Sequence, residues 1–138
     1  MKKELQDKLF KKYPKIFRQK DLPMSETCMC WGIACGDGWY TLIDNLCFSL
    51  QFDTDRNNYP QVEARQVKEK FGGLCFYYQI NASQDPDRSR KCGAIEGMID
   101  FAELMSSSIC EECGSNQDVS QTSGWIKTVC KNCLKGEK

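Results

Sequence analysis

The chain has 138 residues, a formal net charge of zero, ten cysteines and no histidine. That length suits one domain with a modest core, and no apolar run reaches the length of a membrane span. The missing histidine excludes Ser–His–Asp and Cys–His catalysis and every His-ligated zinc enzyme. The balanced charge hides a segregation. Residues 1–20 carry eight basic and two acidic side chains, whereas residues 21–60 carry one basic and six acidic.

In chain order, Leu5, Leu9 and Tyr13 fall at i, i+4 and i+8 and predict a helix over 3–13, ended by Pro14. Its lysines make a basic arm, with Lys8, Lys11, Lys12, Lys15 and Arg18 as candidate contacts to nucleic acid or to an acidic protein surface. The alternative is a solvated helix face. The opening "MKKELQDKLFKKYPKIF" has no apolar export core, so the expectation is a reducing cytoplasm in which cysteines stay free or bind metal.

The stretch "CMCWGIACGDGW" at 28–39 admits several readings. Cys28, Cys30 and Cys35 are candidate ligands of a second metal, with Cys47, Cys75 or Cys92 as the fourth. Cys35 also precedes a predicted helix start, where the helix field lowers a thiol pKa, which would begin a case for a nucleophile. Gly36 and Gly38 between Trp31 and Trp39 suggest an anion-binding loop with stacking aromatics, a pocket for a nucleotide signal to which Tyr77 and Tyr78 could add. The structural alternative is a tight turn packed by Trp31 and Trp39, with Asp37 as a helix N-cap.

Trp39, Leu42, Ile43, Leu46, Cys47 and Leu50 form one helical stripe that "DTDRNNYP" ends. Residues 61–80 predict a β-hairpin, with Gly72 and Gly73 as the turn and Leu74, Phe76, Tyr78 and Ile80 on one face. "NASQDPDRSR" reads as a loop, and a third helix over 89–107 buries Ile95, Met98, Ile99, Ala102 and Met105.

Cys110-Glu-Glu-Cys113 and Cys130-Lys-Asn-Cys133 stand sixteen residues apart. Two residues between thiolates let one turn aim both sulfurs at a single ion, and two such turns complete a tetrahedron of four thiolates. Gly114 suits the first turn, and "GWIKTVC" alternates as a small hairpin would. Cys110, Cys113, Cys130 and Cys133 are therefore the candidate ligands of a structural zinc, whose closed thiolate shell leaves no position for substrate. The expected architecture is α+β: three helices and a hairpin over 1–108, with a zinc-ribbon-like module over 109–138 packed on it as one unit.

The motifs together resemble a family of small, mostly uncharacterised proteins encoded by tailed bacteriophages and prophages. The matching elements are Cys-Met-Cys-Trp-Gly at 28–32, Cys-Gly-Asp-Gly-Trp at 35–39, Val-Lys-Glu-Lys-Phe-Gly-Gly-Leu at 67–74 and Phe-Tyr-Tyr at 76–78. Ala-Glu at 102–103 and the cysteine-paired tail complete the match. The family often has a basic residue before the Phe-Tyr segment, where Cys75 stands here. The resemblance implies an accessory phage protein acting in a bacterial host cytoplasm. Three functions follow as expectations: an inhibitor of a host protein, such as an anti-CRISPR-like counter-defence factor; a nucleic-acid-binding regulator; or a protein that sequesters a nucleotide.

Overall fold

The computed structural model describes residues 1–81 and 84–136, so Ala82 and Ser83 of the expected loop lie outside the described residues. The fold is α+β. In chain order it has helix α1 (Lys3–Lys12), strand β1 (Ile33–Ala34), helix α2 (Tyr40–Asn57) and the strands β2 (Val62–Lys70) and β3 (Gly73–Ile80). Helix α3 (Arg88–Ser106), strands β4 (Val119–Gln121) and β5 (Thr128–Cys130) and the one-turn helix α4 (Lys131–Leu134) follow. Among the described residues, no helix is long and apolar enough to cross a membrane.

The sheet has the order β1-β2-β3, with β1 parallel to β2 and β2 antiparallel to β3. The parallel strand β1 comes from the cysteine-rich stretch and has no counterpart in the expected elements. The hairpin turn is Phe71–Gly72, both with positive φ, and Gly73 already pairs with Lys70 in the ladder. Two left-handed residues match the turn to the strand twist, so the expected Gly72–Gly73 turn moves back by one residue. A bulge at Arg65 shifts the register between Ala64 and Gln66.

Helix α2 buries Ile43, Leu46, Cys47 and Leu50, and α3 buries Ile95, Ile99 and Ala102. These join Leu9, Ile16, Phe17, Met29, Ile33, Trp39, Val67, Leu74 and Phe76 in one core. Met105 of the expected stripe lies at the surface instead. Helix α3 also covers the outer edge of β3: the Leu74 N–H donates to Ser106 Oγ at 2.9 Å and the Phe76 N–H to Glu103 Oε1 at 2.7 Å. Side chains from the helix thus satisfy edge amides that would otherwise template a foreign strand.

The charge segregation resolves into ion pairs within the chain. Lys2 meets Asp37, Lys12 meets Asp44, Lys15 meets Asp55 and Arg18 meets Glu63. Of these only Glu63 is buried, at 1 % exposure. It accepts from Arg18 Nε and Nη2, both at 2.9 Å, from Asn81 at 3.0 Å, and from Gln19 and Gln79 at 3.1 Å. Burial alone would raise the carboxyl pKa, but the Arg18, Asn81 and Gln19 hydrogen bonds prevail and hold it at about 2.

A folded pKa below the unfolded value contributes stability above the unfolded pKa, which is lost as pH falls through the folded one. Urea titrations between pH 6 and pH 2 should therefore show a stability loss that Glu63→Gln flattens. At pH 7, Glu63→Ala should cost about 1–3 kcal/mol, because it leaves the Gln19, Gln79 and Asn81 amides without their acceptor while exposed Arg18 turns to water.

Candidate metal centre

Four cysteines converge at one end of the molecule. The sulfurs of Cys110, Cys113, Cys130 and Cys133 all lie within 4.8 Å of one another. The Cys113 and Cys130 sulfurs are 3.7 Å apart. Among the described residues this is the single group of three or more candidate ligands close enough to share an ion. The four residues can hold a metal.

The first pair sits on a tight turn. The Gly114 N–H donates to the Cys110 carbonyl at 2.8 Å with Gly114 at φ +78°, and the Cys110 N–H donates to the Ser115 carbonyl at 2.7 Å. The second pair begins α4, where the Cys133 N–H donates to Cys130 Sγ at 3.5 Å. Pairing of β4 with β5 sets Cys130 opposite Val119, and the Glu111 N–H donates to the Thr128 carbonyl at 2.9 Å, bringing the two turns together. The expected strand is shorter than predicted, because Trp125 and Lys127 precede Thr128 in an exposed loop.

Burial raises the Cys110 thiol pKa, but the Cys113, Cys130 and Glu112 amides aimed at its sulfur outweigh burial and lower it to about 7. Cys133 goes upward, first through its hydrogen bond with Cys113. A bound cation would favour the thiolate form of all four cysteines.

The cysteine module has little apolar support of its own: Cys110, Val129 and Cys130 are buried, with Val119 and Cys133 packed on them. It is held to the body through residues 36–39. The Gly36 N–H donates to Glu111 Oε1 and the Gly38 N–H to the Glu111 carbonyl, each at 2.8 Å. The indole of Trp39, fully buried, donates to the Ile109 carbonyl at 2.9 Å. The backbones touch so closely that a Cβ on Gly36 would lie 2.2 Å from the Glu111 oxygen. One on Gly38 would lie 2.2 Å from the Cys110 oxygen and 2.4 Å from the Gly114 nitrogen.

This contact corrects several expectations for residues 28–39. The amides expected to cradle an anion already serve the chain's own Glu111. Trp31 is 68 % exposed and lines a different depression from Gly36 or Gly38, while Trp39 is sealed in the core, so the four do not form one ligand pocket. Cys28 is exposed, Cys30 half-buried and Cys35 buried, and with Cys47, Cys75 and Cys92 they fall outside the convergent group. Burial pushes the Cys35 thiol up to about 12, the reverse of what an activated nucleophile needs. Asp37 does not cap α2, whose N-cap position is Trp39. Its carboxylate accepts the Lys2 N–H at 2.7 Å, at the start of α1. That hydrogen bond, ahead of the Lys2 ammonium, lowers its pKa.

The basic arm is likewise engaged: Lys12, Lys15 and Arg18 pair with acidic residues, while Lys8 and Lys11 lie outside the ion pairs among the described residues. Glu111 and Glu63 escaped prediction. The repeated glycines of "CGDGW" and "CEECG" are the sequence signal that two backbones meet there. No family model, curated protein or solved structure matches the chain.

Gly38→Ala should destabilise the metal-loaded protein by about 2–3 kcal/mol in urea, since its Cβ collides with backbone on both sides. Gly97→Ala on α3 meets open space and should instead add about 0.5–1 kcal/mol.

Proposed function

We propose that the chain is a non-catalytic, zinc-stabilised protein that binds a host protein, in keeping with the phage accessory role and bacterial cytoplasm that its resemblance implies. The sulfur geometry supports zinc. Zn–S bonds of about 2.3 Å in a tetrahedron place sulfurs about 3.8 Å apart, close to the 3.7 Å between Cys113 and Cys130. Four thiolates fill the coordination shell, so the ion's work is structural, and four thiolates with a divalent ion add −2 to the chain's charge.

The observation that carries the binding reading is an open trough of about 700 Å³ between α2 and α3. Leu42, Leu46, Met98, Phe101 and Met105 line it, and the metal turn closes it at Cys113–Gly114. Phe101 stands 63 % exposed in this lining, apolar surface that binding would remove from water. Two methionines make a wall that adapts to a partner. Exposed Asp100, next to Phe101 in sequence and outside the ion pairs among the described residues, offers a carboxylate near the trough. Its complement is an amphipathic host helix with basic residues flanking the apolar face.

The nucleotide reading loses its support with the Gly36 and Gly38 amides, and the basic-arm reading loses most of its cations to ion pairs.

Elemental analysis of purified protein should return one zinc per chain, and Cys113→Ser should lower both metal content and stability. A host protein captured by the zinc-loaded chain, lost with Phe101→Asp or Met105→Asp and kept with Lys8→Glu, would support the reading. Capture indifferent to the trough, or self-association abolished by Phe101→Asp, would contradict it.

A further inference from the structure

On the side of the hairpin away from the core, β2 and β3 present a surface that combines exposed aromatics with basic residues. The outward register pairs are Gln66 with Tyr77, Lys68 with Cys75 and Lys70 with Gly73, while Val67 and Phe76 point into the core. Arg65 stands exposed at the bulge and shares a groove of about 550 Å³ with Gln66, Tyr77 and Tyr78.

Three aromatic rings are offered to water here and at the hairpin tip: Tyr77 at 43 %, Phe71 at 74 % and Trp125 at 81 % exposure. Lysine ammoniums stand over two of them. Lys68 Nζ is 5.6 Å from the centroid of Tyr77, and Lys70 Nζ is 5.6 Å from that of Phe71. Lys127 follows Trp125 by two residues.

Two further observations mark this surface as built for a ligand. Eight ion pairs join charges among the described residues, and Arg65, Lys68, Lys70 and Lys127 are in none of them, although Arg65 Nη2 donates to the Glu26 carbonyl at 3.2 Å. Phe71 is held at φ +52°, a left-handed conformation that bulky residues avoid and that Asn or Gly would take with little strain. Its ring gains little burial in return, so packing does not explain the choice. The tip is also rigid. The Gly72 N–H donates to Glu69 at 2.7 Å, and Thr128 Oγ1 donates to the Gly72 carbonyl at 2.5 Å. A Cβ on Gly72 would lie 2.8 Å from the Ile126 side chain, so the cysteine-bearing ribbon sets the loop of Trp125 and Ile126 beside the hairpin tip.

We propose that this face binds single-stranded nucleic acid, with bases stacked on Tyr77, Phe71 and Trp125 and phosphates met by Arg65, Lys68, Lys70 and Lys127. Rings accompanied by cations outside the ion pairs match the chemistry of a strand, in which each nucleotide offers one π-face and one negative charge that could take a lysine from its ring. From Tyr77 to Gly73 at the tip is about 13 Å along β3, room for a strand to pass from one ring to the next. A duplex would keep its bases stacked inside and leave the rings without partners. A protein partner fits less well, because lysine is depleted from protein–protein interfaces, and the continuous apolar surface lies elsewhere, between α2 and α3. Glu26 is the one carboxylate among the groove residues.

The test is fluorescence anisotropy of the zinc-loaded full chain against labelled 15-nucleotide dT and rU strands and a 15-base-pair duplex. Saturable binding of either strand at 50 mM salt is expected, tighter than for duplex. Three or four phosphate contacts predict about a 20-fold to 50-fold loss by 200 mM salt. Tyr77→Ala should weaken binding about tenfold or more, and Lys68→Glu with Lys70→Glu should abolish it. Phe71→Asn should raise the melting temperature while weakening binding, a combination that a purely structural Phe71 would not give. Phe101→Asp should leave strand binding intact, which separates this face from the trough. Absence of saturable binding, equal affinity for duplex, or loss through Lys8→Glu with Lys11→Glu instead would overturn the proposal.

Discussion

Two amide hydrogen bonds from Gly36 and Gly38 to Glu111 join the cysteine-rich ends of this chain, and much of the structure converges on them. The C-terminal module is too small to fold on its own apolar burial, with three buried residues in its cluster. The four cysteines can hold a metal that would fix the two turns to each other, and residues 36–39 fix the first turn to the body. The same residues launch α2, place Trp39 in the main core and, through Asp37, hold the start of α1. Any side chain on Gly36 or Gly38 would separate these backbones. Two helix starts and the metal turn therefore depend on a few residues of glycine-rich backbone.

Charge follows a similar logic of long-range satisfaction. The basic arm and the acidic stretch after it are complementary partners brought together by folding. Most of these pairs are exposed and contribute little, on the order of 0–1 kcal/mol each. Their larger effect is to neutralise most of the arm, while Arg65, Lys68, Lys70 and Lys127 of the hairpin and ribbon loop stay outside the ion pairs among the described residues. Glu63 is the exception, because it is buried and its five donors fasten the Arg18–Asp21 turn and Asn81 to β2 and β3.

Where local periodicity or spacing carries the information, the sequence was legible. The four-cysteine set follows from its Cys-x-x-Cys spacing, α2 and α3 from their apolar stripes, and β3 from its alternation. What escaped depends on partners far along the chain. The two-residue strand β1 exists because Ile33 and Ala34 meet Val67 and Lys68, a pairing that no local pattern announces. The glycines of "CGDGW" suggested an anion, and the Gly36 amide does bind a carboxylate, but it belongs to Glu111, seventy-five residues away, whose backbone carbonyl takes the Gly38 amide. Asp37 has the chemistry of a helix cap and serves a different helix from its neighbour in sequence. Phe71 in a left-handed turn runs against residue preference, so composition pointed to Gly73 instead.

The central claim is that the metal holds the first cysteine turn against residues 36–39. Amide exchange at Gly36 and Gly38, followed by NMR with zinc bound and after chelation, tests it most directly. The account predicts strong protection with zinc that collapses on chelation while the β2–β3 ladder stays protected. Protection at Gly36 and Gly38 that is unchanged by removing the metal would contradict it.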